Sequence, residues 1–177
     1  MTETDIPAVS AVRVSGWKAA YAGMIPQSYL DGMTVEADTA LRRRQFPGSR
    51  GRMTDLVAVD SRDEVVGWAC LGPDRDTGGR EPATGELYAL YVHPSLTGSG
   101  IGRTLLGAVH AHAGNQGLDS MLLWVLRDNV TARRFYERAG YASDGAVQSD
   151  DYDGLSVTEV RYHRALDRIT QRPPAPR

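Results

Sequence analysis

The feature that most constrains this chain is a short apolar run that passes into a loop with glycine at every second position. Residues 87–92 are aromatic and aliphatic and lie between a glycine and a proline, which predicts a buried strand. The loop carries Gly98, Gly100 and Gly102, and an apolar periodicity over residues 100–113 predicts a helix directly after it. Such a loop lets backbone N–H groups turn together towards an anion at the helix N-terminus. The sequence therefore predicts a pyrophosphate cradle.

The apolar pattern along this predicted strand changes phase. Leu87 and Ala89 would share one face, whereas Leu90 and Val92 would share the other, as if the strand held one extra residue. An extra residue forms a β-bulge, which bends a strand and separates it from its neighbour. The sequence therefore predicts an open slot beside this strand.

Two common nucleotide-binding motifs do not fit the glycine loop. The P-loop requires Lys and then Ser or Thr after its last glycine, but Gly102 is followed by Arg103 and Thr104. The dinucleotide fingerprint Gly-x-Gly-x-x-Gly is spaced differently from Gly98, Gly100 and Gly102. On these residues alone, the loop is either a phosphate cradle or a glycine turn that caps a helix without a ligand.

The strand, loop and helix together resemble the acetyl-CoA signature of the GNAT superfamily of N-acetyltransferases. The loop of that signature reads Arg or Gln, two residues, Gly, one residue, then Gly or Ala, and it falls here on residues 97–102. Thr97 stands where Arg or Gln is usual, which removes one side-chain contact and leaves the backbone cradle intact.

A second stretch, residues 129–141, resembles the other GNAT signature, in which an Asn precedes a helix with an aromatic pair, a short polar stretch and Gly-Phe or Gly-Tyr. The two signatures together imply acetyl-CoA as the acyl donor. We expect no metal, because His110 and His112 are two residues apart on a predicted helix and point in different directions. The residues implied to bind it are Leu90, Tyr91, Val92, Thr97, Gly98, Ser99, Gly100, Ile101, Gly102, Arg103, Asn129, Ala132, Phe135 and Tyr136.

The resemblance covers residues 17–166, and it implies an α/β fold of GNAT type. We expect a mixed, mostly antiparallel sheet of six or seven strands, splayed at the central strand, with helices on both faces. Members normally begin with a strand before the first helix, whereas here the first predicted element is a helix over residues 6–22. Either that strand is absent or the sequence begins too late to include it.

Further helices are predicted over residues 28–33, 35–46 and 129–139. The remaining strands are predicted over 56–60, 65–71, 121–126, 141–148 and 155–163, with a six-residue turn at 149–154.

The resemblance also implies where the acceptor amine binds. Helices near the N-terminus border that site in many bacterial GNAT proteins, so Trp17, Tyr21 and Tyr29 are candidate substrate-binding residues, together with Glu86. Glu86 and the acidic turn at 149–154 would suit a cationic amine. The arginines at 42–44, 50 and 52 would equally suit an acidic acceptor, so the sequence leaves the acceptor open.

Acetyl transfer to an amine requires a base, an oxyanion donor and an acid. An amine of pKa near 10.4 is almost entirely protonated at pH 7, a handicap of about 4.6 kcal/mol. Glu86 is the candidate base, the backbone N–H of Val92 the candidate oxyanion donor, and Tyr136 the candidate acid for the leaving thiolate. Glu86 could instead be an ordinary strand-end carboxylate, and Tyr136 could simply pack on the apolar face of its helix.

Length and composition narrow the class of protein. The 177 residues suit one domain over residues 1–168 with a flexible proline-rich tail at 169–177. A net charge of −2 argues against nucleic-acid or anionic-membrane partners. The single cysteine, Cys70, favours a reducing compartment, so we expect a cytoplasmic protein, either a monomer or a homodimer.

The function expected from the sequence is N-acetylation of a primary amine on a small molecule or peptide by direct attack on acetyl-CoA. The alternative is a non-catalytic acyl-CoA-binding regulatory domain that keeps the cradle and has lost turnover. A nucleotide-binding module is weaker because the phosphate-binding Lys is missing.

Overall fold

A computed structural model describes residues 1–49, 51–75 and 83–166. The helices are α1 (Ile6–Ala20), α2 (Gln27–Gly32), α3 (Val35–Ser49), α4 (Ile101–Asn115) and α5 (Val130–Arg138). The strands are β1 (Thr54–Val59), β2 (Val65–Pro73), β3 (Thr84–Val92), β4 (Ser120–Leu126), β5 (Ala142–Tyr152) and β6 (Leu155–Ala165). The predicted tail at 169–177 and Arg50 of the basic loop lie outside the described residues.

One six-stranded sheet forms the centre of the fold. Its strand order is β1-β2-β3-β4-β6-β5, and every neighbouring pair is antiparallel except β3 with β4. The predicted mixed, mostly antiparallel sheet is therefore confirmed. In the described part of the chain the first strand is β1, which follows three helices, so no strand lies ahead of α1.

Helices cover both faces of the sheet. On one face, Leu105, Leu106 and Val109 of α4 are buried against the sheet, and α5 packs beside them. On the other face, Val9 of α1 packs on Trp68 of β2. Within the described ranges, no helix is long and apolar enough to cross a membrane.

The predicted six-residue turn at 149–154 is wrong. Strand β5 continues to Tyr152, and the turn consists of Asp153 and Gly154, whose φ angles are 50° and 81°. Two residues with positive φ form the tight hairpin turn whose twist matches that of the flanking strands. Asp150 is consequently a strand residue paired with Val157, which fixes the side of the sheet that it faces.

Within the basic run at 42–44, Arg42 has a structural role. Asp38, which is 9% exposed, accepts hydrogen bonds from Arg13 of α1 and Arg42 of α3, each at 2.7 Å. The Arg42 guanidinium also lies 4.1 Å from the centre of the Trp68 ring on β2. Arg42 therefore joins α3 to α1 and the sheet, which removes it from the arginines that could meet an acidic acceptor.

Lowering the pH should reduce the free energy of unfolding because His110 on α4 is partly buried in its neutral form. Its imidazole bonds to the Tyr141 hydroxyl at 2.9 Å and lies 2.9 Å from the Arg164 guanidinium. Burial and then Arg164 lower the pKa of His110 to about 4. Below its ordinary pKa of about 6.5 the unfolded chain takes up a proton that the folded chain refuses, so the free energy of unfolding falls as pH drops.

The expected loss is about 1 kcal/mol between pH 7 and pH 5, after discounting for the half-exposed ring. Urea unfolding of the wild type and of His110→Gln at the two pH values measures it, because the depressed carboxyl pKa values of Asp60 and Asp144 act equally in both proteins. If the variant lost as much stability as the wild type, His110 would not be the group responsible.

Candidate active site

The site begins where β3 and β4 separate. The parallel pairing between them covers only Thr84 to Glu86 on β3, opposite Ser120 to Leu122 on β4. In the pairing of β3 with β2, Cys70 of β2 lies opposite Ala89, but Leu71 of β2 lies opposite Leu87. Tyr88 has no residue opposite it and is the extra residue of a β-bulge. The predicted bulge and splay are confirmed, and a slot opens between the carboxyl-terminal halves of the two strands.

The bulged strand turns backbone N–H groups towards this slot. His93 donates its N–H to the Val66 carbonyl oxygen, 2.9 Å away. The N–H groups of an antiparallel strand point alternately to its two sides. The N–H groups of Val92 and Leu90 therefore point away from β2, towards the side where β4 has diverged.

The glycine loop closes the same end of the slot. Gly98 and Gly100 have φ angles of 85° and 94°, a region that side chains other than glycine rarely adopt. Gly100 is the N-cap of α4, so the first backbone N–H groups of this helix have no partner within the helix. Their direction and the positive end of the helix dipole favour an anion at this position.

A cleft of about 980 Å³ runs from the loop along the slot. Every residue that the sequence assigned to cofactor binding lines it except Ile101, whose side chain packs into the core. Asn129 lines the cleft and is 7% exposed. Its side-chain oxygen accepts the Ala132 N–H at 3.0 Å as the N-cap of α5. The structure thus brings the two predicted signatures to one cavity.

A second, smaller cavity of about 200 Å³ lies on the α1 side of the sheet. It is lined by Trp17, Tyr21, Ile25, Arg75, Leu87, Tyr88, Tyr91, Trp124, Leu126, Asp150, Tyr152 and Glu159. The two cavities meet at the bulge, where they share Tyr21, Leu87, Tyr88, Tyr91 and Trp124. A group bound in one cavity can therefore reach a group bound in the other through the slot.

Tyrosine hydroxyls gather near this junction. The hydroxyls of Tyr21 and Tyr91 lie 3.3 Å apart. Tyr136 lines the large cleft, and burial, followed by the proximity of Tyr21, raises its pKa. Tyr136 therefore keeps its proton across the physiological pH range and can act as a donor.

Glu86, the sequence candidate for the base, does not line either cavity among the described residues. Its carboxylate is fully buried, accepts the Arg75 backbone N–H at 3.1 Å and lies 2.6 Å from the Arg75 guanidinium. Arg75 does line the small cavity, so Glu86 meets the cavity through Arg75. Tyr29 also lies behind the surface of the cavity, with its ring 5.0 Å from that of Tyr152.

Sequence reasoning missed most of the small cavity. Glu159 was not singled out, although it shares a strand face with the apolar Val157, and that position signals an acid turned towards the interior. Gln148, opposite it on β5, donates to its carboxylate at 2.6 Å. Burial raises the pKa of Glu159 and outweighs the Gln148 hydrogen bond, which lowers it, and the nearby Asp150 adds to the rise. A carboxylate of raised pKa is a stronger base than an exposed one.

No group of three or more histidine, cysteine or acidic side chains within 1–49, 51–75 and 83–166 is arranged to hold a metal ion. Cys70 is buried, and burial raises the pKa of its thiol. It therefore lacks the thiolate character of a nucleophile.

The sequence matches the family model described as "Acetyltransferase (GNAT) family" over residues 24–141. It is 32% identical over 159 residues to the uncharacterized N-acetyltransferase YuaI of Bacillus subtilis, covering 88% of this chain and 85% of that protein. It is also 36% identical over 89 residues to a mycothiol acetyltransferase of Saccharopolyspora erythraea, but that match covers 49% of this chain and only 27% of the relative.

Among solved structures, the fold is similar to that of PaiA N-acetyltransferase from Thermoplasma acidophilum in complex with coenzyme A. The TM-score is 0.68 at 22% identity, and the match covers 93% of this chain and 95% of the other. A ribosomal-protein-alanine N-acetyltransferase from Brucella melitensis gives a TM-score of 0.71 at 22% identity, over 94% of this chain and 97% of the other. At these identities the similarity concerns the fold.

Proposed function

Because the chain belongs to the GNAT acetyltransferase family, we propose that it moves an acetyl group from acetyl-CoA to a primary amine of a small molecule or peptide by direct attack. The observation that carries the proposal is the meeting of two cavities at the bulge of β3. The larger cavity suits an acyl donor with a pyrophosphate, and the smaller suits an acceptor. Transfer would take place through the slot.

The residues of the large cleft fit acetyl-CoA. The N–H groups at the start of α4, presented by Gly98 and Gly100, would hold the pyrophosphate. The N–H groups of Leu90 and Val92 point into the slot, where no described strand pairs with them, and they suit amide and thioester carbonyl oxygens. Thr97 lines the cleft without the longer side chain that is usual at its position.

Glu159 is our proposed base, in place of Glu86. It lines the acceptor cavity and its pKa is raised, whereas Glu86 is buried and ion-paired with Arg75. Glu159 would take the proton of the bound ammonium, directly or through a water molecule. For Glu86 we propose that it fixes the position of Arg75.

In the proposed transfer, each bond formed is matched by a bond broken. The amine nitrogen forms a bond with the acetyl carbonyl carbon, and the Val92 N–H donates to the oxygen that becomes negative. The nitrogen of the resulting tetrahedral species still carries one surplus proton. As the C–S bond breaks, Tyr136 gives its proton to the thiolate sulfur. The surplus proton of the nitrogen then restores Tyr136, and Glu159 releases its proton to solvent. The products are the N-acetylated acceptor and the thiol form of CoA, with no covalent enzyme intermediate.

The experiment that tests the function combines acetyl-CoA binding with thiol release on a panel of amines. We expect micromolar binding and sequential steady-state kinetics, because both substrates must be bound together. Ping-pong kinetics would contradict direct attack. Acetyl-CoA binding without thiol release from any amine would favour the non-catalytic acyl-CoA-binding domain.

Tyr136→Phe should lower kcat between tenfold and about a hundredfold and change the acetyl-CoA dissociation constant by less than twofold. The decrease lies at the low end for an acid catalyst because a thiolate of pKa near 8.5 leaves with only modest help. Single-turnover thiol release measures kcat, and calorimetry measures binding. Tyr141→Phe is the matched control, since Tyr141 is buried against His110 and lines neither cavity among the described residues. An unchanged kcat in Tyr136→Phe would show that Tyr136 is not the acid.

A further inference from the structure

The small cavity carries more negative charge than its own cations balance. Asp150 on β5 and Glu159 on β6 both line it. Glu159 lies opposite Gln148, and Asp150 is two residues further along the same face of β5, so the two carboxylates are diagonal neighbours. Among the described residues, the only cation that lines the cavity is Arg75, and its guanidinium lies 2.6 Å from the Glu86 carboxylate. Two carboxylates therefore remain to be matched by a ligand.

The arginines that could have bound an acidic acceptor lie outside the small cavity. Of the arginines that could have met an acidic acceptor, Arg42 is bound to Asp38 and to the Trp68 ring. Neither it nor any other described member of that basic set lines the small cavity. The structure thus separates two possibilities that the sequence left equal, and the acidic side of the cavity favours a cationic acceptor.

The two acids occupy different depths. Glu159 is half-buried and is held by the Gln148 amide, whereas Asp150 is exposed at the mouth of the cavity. Asp150 has no ion-pair partner among the described residues. If a single ammonium gives its proton to Glu159, Asp150 is left without a positively charged partner. An acceptor with one amine therefore matches only one of the two carboxylates.

Aromatic rings form much of the remaining wall. Trp17, Tyr21, Tyr88, Tyr91, Trp124 and Tyr152 all line the cavity. Aromatic faces attract ammonium groups and bury methylene chains without offering them hydrogen bonds. At about 200 Å³ the cavity is smaller than the roughly 300–1,000 Å³ of typical drug-sized sites. It fits a short aliphatic chain better than a bulky ring system.

We propose that the acceptor is a small aliphatic amine with a second positively charged group, which Asp150 holds at the cavity mouth while the reacting amine lies beside Glu159. This inference rests on the proposed acetyl transfer. The reacting nitrogen loses one proton to Glu159 and forms the new bond to the acetyl carbon. It gives up a second proton as the C–S bond breaks and the sulfur is protonated. The second ammonium stays protonated throughout.

Three acceptors of matched chain length test the proposal: diaminobutane, butylamine and γ-aminobutyrate. We expect kcat/KM to fall in that order, with diaminobutane at least tenfold above butylamine and γ-aminobutyrate the poorest. Calorimetric titration of diaminobutane into the CoA-saturated protein gives a second readout that does not depend on turnover.

Asp150→Asn should lower the ratio of kcat/KM for diaminobutane to that for butylamine about tenfold. The matched control is Asp151→Asn, the next residue on the opposite face of β5, which lines neither cavity in the described part of the chain and accepts the Gly154 N–H in the hairpin turn. That control should keep the wild-type ratio.

The outcomes separate the inference from the proposed function. Equal or reversed preference among the three acceptors, or an unchanged ratio in Asp150→Asn, overturns the inference and leaves acetyl transfer standing. Tight binding of diaminobutane without turnover of any amine supports the acceptor class and contradicts the enzyme function. Neither binding nor turnover of diaminobutane, with another amine acetylated, overturns the inference alone.

Discussion

Gly100→Glu should weaken acetyl-CoA binding by at least a hundredfold and remove measurable transfer. Gly100 lies at the N-cap of α4, where its φ of 94° turns the first N–H groups of the helix towards the cleft. A glutamate there would place a negative charge where the pyrophosphate is proposed to bind, and like charges at such close range repel strongly. The new side chain would also lie close to Arg103, whose guanidinium is 3.9 Å from the position of a Cβ on residue 100. Pairing with it would withdraw a cation from the cleft.

Gly100→Ala separates charge from backbone strain. Alanine has the same unfavourable φ, which costs about 1–2 kcal/mol of stability, but it adds no charge. We expect both variants to unfold at similar temperatures by calorimetry, and the alanine variant to lose less than tenfold in acetyl-CoA affinity. Retained affinity in Gly100→Glu would show that the pyrophosphate does not bind at this helix terminus. Equal losses in both variants would assign the effect to strain.

The geometry of the proposed cofactor half of the site could be predicted from the sequence because its signals are local. A change of apolar phase within residues 87–92 predicted the bulge, since side-chain direction alternates with a period of two. Glycines at 98 and 100 predicted the turn into α4, since only glycine adopts positive φ freely. Both signals lie within a few residues of the structure that they specify.

The proposed acceptor half could not be predicted in the same way because it depends on strand register between distant segments. The sequence places Asp150 in a polar turn, but β5 extends through this residue. A shift of one residue in the β5–β6 pairing would turn its side chain to the other face of the sheet, away from the cavity. Glu86 reads as a free carboxylate at the start of a strand, and only the fold brings Arg75 to within 2.6 Å of it. In the sequence, Arg42 is one of the arginines that could meet an acidic acceptor, and only the packing of α3 against Trp68 shows that it has a structural role.

Register also explains why Glu159 rather than Glu86 is the proposed base. Glu86 lies on β3, which borders the splay, and Glu159 lies on β6, which pairs with the other side of β4. Both are near Arg75. Glu86 is enclosed because β3 is still paired with β4 at that position, opposite Leu122. Glu159 lies opposite Leu126, beyond the point of divergence, where the sheet is open to the small cavity.

Glu159→Gln should lower kcat at pH 7 by about a hundredfold to a thousandfold. Without a base, the acceptor must arrive as the free amine, which at pH 7 is roughly one molecule in two to three thousand for a pKa near 10.4. That fraction sets the upper end of the loss, and water acting as a weak base sets the lower end. Glutamine has nearly the same shape as glutamate, so packing against Gln148 is largely kept.

The pH dependence distinguishes a base from a residue that only binds the acceptor. Burial and Asp150 raise the pKa of Glu159, so the wild-type rate should fall with decreasing pH from above the ordinary pKa of a glutamate. This decrease in rate at acidic pH, the acidic limb of the pH–rate profile, should be missing in Glu159→Gln. As pH rises towards 10, the free amine becomes abundant, and the ratio of wild-type to variant kcat should shrink towards one. A role confined to holding the cation would instead appear in KM and leave the ratio of wild-type to variant kcat near one at every pH.

Glu86→Gln is the matched comparison for the same reaction. It removes the charge that holds Arg75 and leaves Glu159 in place, so we expect a changed KM for the acceptor and an intact acidic limb in the rate. If the limb disappears in Glu86→Gln and persists in Glu159→Gln, then Glu86 is the base and reaches the amine through water beside Arg75. The two profiles, measured with one acceptor at saturating acetyl-CoA, therefore assign the base to one carboxylate or the other.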